Sequence, residues 1–321
     1  MKDLLKGSGE QVNILVVGSF MMDMVVRTPR VPEMGETIIG NSFSRFPGGK
    51  GANQAVAASR LQGNVTMVGK LGNDIFGDEI YKAIKNEHID TQYILRDETL
   101  PTGVGMVTVD EKGNNRIIVV PGANLAYQPT DLYAIEDVVQ KANVMVLQLE
   151  MDIATVERAV ELADKHGVLV ILDPAPARDL DDGLLKKVTY LTPNKSEAEQ
   201  LTGIKIHNKE DVKQAANIFL DKGVKNVVIT LEGTGAFYIN SLEERFVPGY
   251  TVQSVDTVAA GDSFNGALAV ALVQGKNLCD AVQFANAVGA LTVTNRGAIP
   301  SLPYLQDVEQ FMRTQTAAPI D

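Results

Sequence analysis

The chain has 321 residues, of which 45% are hydrophobic and 21% are charged, and its formal net charge is −11 at pH 7. These values are typical of a globular protein with one large α/β core, and the acidic balance, without any Lys/Arg cluster, argues against nucleic acid and anionic membranes as partners. The single cysteine, Cys279, excludes a disulfide framework and a cysteine metal site.

The chain opens on a polar segment, residues 1–12, which has no apolar core of signal-peptide length. No later apolar run is long enough to span a membrane, and no internal repeat or low-complexity segment interrupts the chain. We therefore expect a cytoplasmic protein in which 1–12 is an N-terminal extension and 13–321 is a single domain.

Short apolar runs alternate with helical patterns in the rest of the chain. The candidate strands are nearly continuously apolar, as in parallel strands covered on both faces, and comprise 13–19, 144–150, 168–174, 188–194 and 226–233. One helix starts at the N-cap Asp152 and stops at Gly167, and another carries Ser196 and Glu199 at capping-box spacing and ends at Gly203. The alternation predicts an α/β fold with a doubly wound, mostly parallel central sheet flanked by helices.

Two regions break this alternation, 23–46 and 103–121. Both contain β-branched, alternating runs around turn signals, such as "DEKGNN" in the second region. We predict that they form short antiparallel strands apart from the main sheet, as a small β lid over its carboxyl edge. The alternative is two ordinary surface hairpins.

The stretch "VDTVAAGDSFNGALAVAL", residues 255–272, places small residues directly before an aspartate and an amphipathic helix. The helix is predicted to begin near Gly261–Asp262, so that the N–H groups of Ala259, Ala260 and Gly261 form an anion hole. Such a hole suits the charge of a transferring phosphoryl group, and Asp262 beside it can take a proton from a hydroxyl. The alternative is that Asp262 only caps the helix.

A second stretch, "PGGKGANQAVAASRLQG" at 47–63, is a glycine-rich entry into a helix. Gly48 and Gly49 allow the backbone to approach a ligand closely, and Lys50 and Asn53 add polar groups. It is neither a Walker A loop nor the G-x-G-x-x-G dinucleotide fingerprint. The alternative is a simple glycine turn.

The two stretches, with 47–63 first in the chain and 255–272 second, resemble the signatures of the ribokinase-like family of carbohydrate kinases. Further motifs with family counterparts lie between them, including "VLQLE", "DPAPAR" in place of "NPAPAR", "TPNKSEAEQLTG" and "ITLEGTGAF", and the match as a whole covers about 13–301. The resemblance implies a sheet-and-lid fold, often dimeric through the lid, and ATP-dependent phosphorylation of a sugar's primary hydroxyl.

The resemblance also implies roles for single residues. Asp262 matches the family's catalytic base, and Ala259, Ala260 and Gly261 match its anion hole. The positions that correspond to the sugar site are Met21, Asp23, Gly49, Lys50, Asn53, Glu150 and Asp262, of which all but Met21 match the family's residues. The positions that match the nucleotide site are Asn194, Thr230, Leu231, Glu232, Gly233, Thr234, Gly235, Gly261 and Asn286.

Two metal sites are implied in the same way. Glu197 resembles the acidic residue that holds Mg²⁺ through water, although a first-turn glutamate is also favoured by the helix dipole alone. A loop for a monovalent cation, typically K⁺, would use Asp256, Val258, Thr292, Asn295, Gly297 and Ser301, several of them through backbone carbonyls.

The string "GSFMMD" departs from the family pattern, because Met21 stands where many members have an asparagine that contacts the sugar. Methionine offers only an apolar contact, so a deoxy position in the sugar would be tolerated there. We expect D-ribose, phosphorylated on its 5-hydroxyl to ribose 5-phosphate, with 2-deoxyribose as the first alternative and another sugar or a nucleoside as the second.

Two other classes of protein are alternatives to a kinase. A non-catalytic sugar sensor predicts the loss of Asp262 or of the preceding "AAG", and both are intact. A dinucleotide oxidoreductase predicts a glycine fingerprint after the first strand, where this chain has only Gly18.

Overall fold

The computed structural model describes residues 13–315, so the predicted extension at 1–12 lies outside the described residues. In chain order the strands are β1 (Asn13–Val17), β2 (Met21–Arg27), β3 (Ser42–Gly48), β4 (Asn64–Gly72), β5 (Asp90–Asp97), β6 (Gly103–Val109), β7 (Asn115–Val120), β8 (Val144–Leu147), β9 (Leu169–Leu172), β10 (Tyr190–Leu191), β11 (Asn226–Thr230), β12 (Gly235–Asn240) and β13 (Glu244–Pro248). The helices are α1 (Lys50–Arg60), α2 (Ile75–Asn86), α3 (Glu136–Lys141), α4 (Ile153–Lys165), α5 (Asp182–Leu185), α6 (Lys195–Thr202), α7 (Lys209–Asp221), α8 (Ala260–Val273), α9 (Leu278–Thr292) and α10 (Leu305–Thr314).

The main sheet has nine strands in the order β13-β12-β11-β10-β9-β8-β1-β4-β5. Pairing is parallel from β5 across to β11, and the β11–β12 and β12–β13 pairs are antiparallel, so β12 runs against the other strands. Ile14 and Val16 of β1 enter one core cluster, whereas Leu15 and Val17 enter the other, on the opposite face. This burial on both faces explains the continuous apolar runs and confirms the doubly wound α/β prediction.

A separate four-stranded sheet, with the order β3-β2-β6-β7, confirms the predicted small β lid. Its outer pairs are antiparallel as predicted, but the central β2–β6 pair is parallel, with Met21 opposite Gly103. The two central strands follow β1 and β5, which are parallel strands of the main sheet, so both leave its carboxyl edge in the same direction.

Of the two helix starts predicted from capping residues, one is confirmed and one is wrong. Asp152 caps α4 as predicted, since its carboxylate accepts from Ala154 N at 2.9 Å. The capping box predicted at Ser196 and Glu199 is wrong, because Asn194 and Glu197 form it two residues earlier. The sequence contains both overlapping patterns, and the helix takes the one that directly follows the end of β10.

None of the described helices is long and apolar enough to cross a membrane.

Candidate active site

The site lies at the carboxyl edge of the main sheet, where α8 begins. The N-cap, Ala259, has left-handed backbone angles (φ +62°) and makes no side-chain cap hydrogen bond. A Cβ on Gly261 would meet nothing within 4 Å, so this first-turn backbone faces open space. The N–H groups in the first turn of a helix have no acceptor within their own helix. The left-handed backbone of Ala259 costs about 1 kcal/mol for a residue other than glycine, and such strained residues are common at functional sites.

The helix α1 enters the same region. Its N-cap, Gly49, has φ +96°, and a Cβ there would lie 2.6 Å from Met21 N, so this position requires glycine. Lys50, Asn53 and Gln54 follow at i, i+3 and i+4 spacing and therefore share one face of the first turns.

Asp262 is buried, with 6% of its surface exposed, and its two carboxylate oxygens have different surroundings. Oδ2 accepts from Asn53 Nδ2 at 2.8 Å. Oδ1 lies 3.8 Å from Lys50 Nζ and has no hydrogen-bond partner among the described residues. Asn53 Oδ1 is buried and unpartnered in the same way. Two such acceptors side by side are suited to hydroxyl donors of a ligand.

Asp23 lies on the lid side of this pair. A Cβ on Gly48 would lie 3.0 Å from Asp23 Oδ2 and 3.5 Å from Asn53 Oδ1, so the glycine leaves space between the two polar groups. Burial, followed by the negative charges of Glu150 and Asp262, raises the pKa of Asp23 to about 7. A polyol that hydrogen-bonds to the charged carboxylate would oppose this shift.

Glu150 follows the end of β8, and its Oε2 accepts from the Ser19 hydroxyl and from Lys50 N, the latter at 3.2 Å. The structure therefore brings Asp23, Lys50, Asn53, Glu150 and Asp262 together, as the sequence predicted for a sugar site.

Met21 is buried at the start of β2, with 3% of its surface exposed. Its sulfur lies 3.9 Å from Nδ2 of Asn124. Asn124 Nδ2 also donates to Phe20 O and Asn124 Oδ1 accepts from Phe20 N, both at 2.8 Å. Asn124 was not predicted from the sequence, because it lies in a short helical turn far along the chain.

Sequence reasoning also missed Asp173 and Gln54. Asp173 Oδ2 lies 3.5 Å from Lys50 Nζ and accepts from Gln54 Nε2 at 3.0 Å. Burial raises the pKa of Asp173 above its usual range, and the Lys50 ammonium opposes that shift. Burial alone would lower the pKa of Lys50, but the carboxylates of Asp173, Asp262 and Glu150 hold it above its ordinary value. The sequence signal for Asp173 is the string "DPAPAR", in which this aspartate replaces the asparagine of the family motif.

The predicted nucleotide positions form a second wall beside α8. Asn194 bridges to Thr230 across neighbouring strands, and its side chain caps α6 by accepting from Glu197 N at 2.9 Å. A short 3₁₀ turn over Glu232–Thr234 follows, in which Gly233 has open space around it. Asn286 donates to the carbonyls of Val247 and Pro248 at 3.2 and 3.1 Å, and so fixes the end of β13.

Glu197 is tied to this wall, since its Oε2 accepts from Asn194 N at 2.8 Å and completes the capping box. The pKa of Glu197 is raised above its ordinary value by burial, and the hydrogen bond from Asn194 and the charge of Lys50 oppose part of that rise. One carboxylate oxygen remains outside the capping box, which is compatible with a water-mediated contact to a cation.

The loops predicted to hold a monovalent cation are adjacent. Asp256 accepts from Val258 N at 3.1 Å and from Gly297 N at 3.0 Å. The hydroxyls of Thr292 and Ser301 donate to the carbonyls of Val288 and Ala298, at 2.9 and 2.8 Å. These bonds use the hydroxyl hydrogens and leave oxygen lone pairs, the atoms through which a hydroxyl binds a cation, unused. The described residues contain no group of three or more His, Cys, Asp or Glu side chains suited to a metal ion.

These elements define a class of protein: an α/β kinase in which a lid and a polar cradle face a helix N-terminus and a carboxylate. The family described as "pfkB family carbohydrate kinase" matches residues 11–305, and the chain belongs to this family.

Individual relatives are similar over nearly their whole length. The chain is 39% identical to a ribokinase of Staphylococcus aureus over 299 residues, which is 92% of this chain and 98% of the relative. It is 35% identical to a deoxyribokinase of Salmonella typhi, over 94% of this chain and 99% of that protein. The solved structure of Arabidopsis thaliana ribokinase complexed with ribose and ATP superimposes with a TM-score of 0.89 at 32% identity, covering 95% of this chain and 99% of that one.

Proposed function

We propose that the protein transfers the γ-phosphoryl group of ATP to the 5-hydroxyl of D-ribose, giving ribose 5-phosphate and ADP. The observation that carries this proposal is the unpartnered, buried Asp262 Oδ1 at the open N-terminus of α8, beside the polar cradle of Asp23, Asn53 and Glu150. The names of the Staphylococcus and Arabidopsis relatives support ribose as the substrate.

The reaction follows from this arrangement. The sugar 5-oxygen attacks the γ-phosphorus, the bond from that phosphorus to the β–γ bridging oxygen breaks, and ADP leaves. Asp262 takes the hydroxyl proton, while the N–H groups of Ala259, Ala260 and Gly261 stabilise the charge on the transferring phosphoryl group.

The nucleotide would lie along the wall of Asn194, Thr230–Gly235 and Asn286, with its γ-phosphate towards α8. The cradle contains several carboxylates around one ammonium, so ATP needs a cation to offset charge repulsion. Glu197 would hold Mg²⁺ through water; when bound, Mg²⁺ neutralises charge on the phosphates. We propose K⁺ for the loops of Asp256 and Gly297, and the cytoplasm as the location.

We further propose that a second copy of the chain covers the lid. Strand β7 is at the edge of the lid sheet, and Ile117, Ile118, Val119 and Val120 are 48–65% exposed. An exposed apolar edge strand is a template for pairing, and the same strand of a second copy offers matching chemistry. Closure of the lid over the sugar would exclude water and limit hydrolysis of ATP.

2-Deoxyribose is the second candidate substrate, because Met21 puts an apolar thioether where a polar partner would recognise a hydroxyl. The Salmonella relative, named deoxyribokinase, keeps this alternative open.

The test is ADP release with ribose and with 2-deoxyribose in parallel at fixed Mg-ATP, with and without K⁺. We expect a higher kcat/KM for ribose, and stimulation by K⁺. A preference for 2-deoxyribose would make the second candidate the function. No sugar-dependent ADP release with either sugar would refute both.

A further inference from the structure

A chain of buried polar side chains lies behind Lys50 and has no part in the mechanism above. Gln148 Nε2 donates to Gln54 Oε1 at 2.6 Å, and Gln54 Nε2 donates to Asp173 Oδ2 at 3.0 Å. The same Oδ2 lies 3.5 Å from Lys50 Nζ. Gln54 and Gln148 are fully buried and Asp173 is 4% exposed. Burying an amide–carboxylate chain is costly, so the two hydrogen bonds within it fix the direction of each member, while Gln148 Oε1 has no partner among the described residues.

The position of Asp173 is fixed from two directions. Its N–H donates to Leu147 O at 2.9 Å, which holds the residue at the end of β9 against β8. Its carboxylate meets Gln54 and Lys50, which are four residues apart on α1 and so lie on the same helix face. Asp173 therefore joins the carboxyl edge of the sheet to the first turn of α1.

The Lys50 ammonium is placed between two carboxylates. Nζ lies 3.5 Å from Asp173 Oδ2 and 3.8 Å from Asp262 Oδ1. Asp262 Oδ1 is the oxygen with no hydrogen-bond partner. A shift of Nζ by about 1 Å would bring it within hydrogen-bond distance of that oxygen and occupy it. Attraction to Asp173 opposes this shift.

We propose that Asp173 is a positioning residue that holds the Lys50 ammonium away from Asp262 Oδ1, so that this oxygen stays available to the sugar hydroxyl. Gln54, oriented by Gln148, sets the direction of the Asp173 carboxylate. The inference rests on the proposed function, since it assigns Asp262 Oδ1 to the sugar hydroxyl.

The family motif "NPAPAR" has asparagine at this position, and its amide oxygen can still accept from Lys50 and Gln54, so Asp173→Asn should keep most of the activity. The first test is therefore Asp173→Leu, which keeps the size of the side chain but removes both oxygens. We expect kcat to fall roughly 10- to 100-fold, in the range found for residues that orient functional groups, while KM for the sugar stays within about threefold. A matched control is Glu136→Gln, which removes the α3 carboxylate that pairs with Lys165 of α4 and should leave kcat unchanged.

The second test asks whether Asp173 acts through Lys50. In a Lys50→Met background, adding Asp173→Leu should change kcat by less than about twofold, because the ammonium that Asp173 positions is gone. An equal loss of kcat in both backgrounds would overturn the proposal. So would an unchanged kcat for Asp173→Leu in the otherwise unaltered chain.

A third variant covers the case in which Asp173→Leu does not fold. Gln54→Met removes the donor that orients Asp173 and fills the same space, and it should lower kcat with the sugar KM kept. An unchanged kcat would contradict the proposal. Lack of sugar-dependent activity in the unaltered protein would instead refute the proposed function, so the two failures are distinguishable.

Discussion

At the scale of single residues, Asp262 combines two environments on one carboxylate. Oδ2 is bonded to Asn53, which fixes the orientation of the group, and Oδ1 is left for a ligand. The sequence could predict Asp262, Lys50 and Asn53, because all three follow glycines at the entry to a helix. It could not predict the contact with Asp173, because that residue ends an ordinary apolar strand and meets Lys50 only in the folded chain.

Met21→Asn tests the origin of sugar selectivity. The asparagine amide would offer a hydrogen bond to a sugar hydroxyl, whereas the methionine sulfur offers almost none. We expect the ratio of kcat/KM for ribose to that for 2-deoxyribose to rise by roughly tenfold, the value of one hydrogen bond. The measurement is ADP release with each sugar over a range of concentrations.

The matched control is Met22→Leu. Met22 is also buried, but as the next residue along β2 its side chain points to the opposite face, into the core cluster that contains Phe20. It should leave the ratio unchanged. If Met21→Asn leaves the ratio unchanged as well, Met21 does not set the selectivity.

At the scale of elements, two helix N-termini and the carboxyl ends of several strands build the site. The small residues at the start of α8 and the two glycines before α1 indicate both helix starts in the sequence, because small side chains leave the backbone N–H groups accessible. The parallel pairing of β2 and β6 was not predictable from the strands themselves. It depends on where each strand leaves the main sheet, which is a property of the whole topology.

The lid edge gives a prediction for assembly. Ile118→Lys places a charge on β7, which would be buried in the proposed dimer, and the cost of desolvating that charge opposes association. We expect the dimer to weaken by roughly tenfold or more, measured by sedimentation over a range of protein concentrations. Leu242→Lys, at a turn where the leucine is 91% exposed, is the control and should leave the dimer intact. A monomeric unaltered protein, or a dimer unaffected by Ile118→Lys, would contradict this assembly.

At the scale of the whole molecule, the sheet collects residues from distant parts of the chain at one edge. Parallel strands covered by helices bring their carboxyl ends together, so Glu150 and Asp173 meet the α1 and α8 termini in one place. The sequence could predict this sheet from its apolar runs. The order of its strands, and therefore the contacts of Lys50 with Asp173, depended on the three-dimensional fold.

The measurement that tests the central claim most directly is the turnover of Asp262→Asn. The amide keeps the shape and can still contact Asn53, but it cannot accept the hydroxyl proton as a base, so kcat should fall by roughly 10²- to 10⁴-fold. Sugar affinity, measured by calorimetry, should stay within about threefold, and the exposed Asp221→Asn should behave like the unaltered protein. Turnover of Asp262→Asn close to that of the unaltered protein would contradict the account.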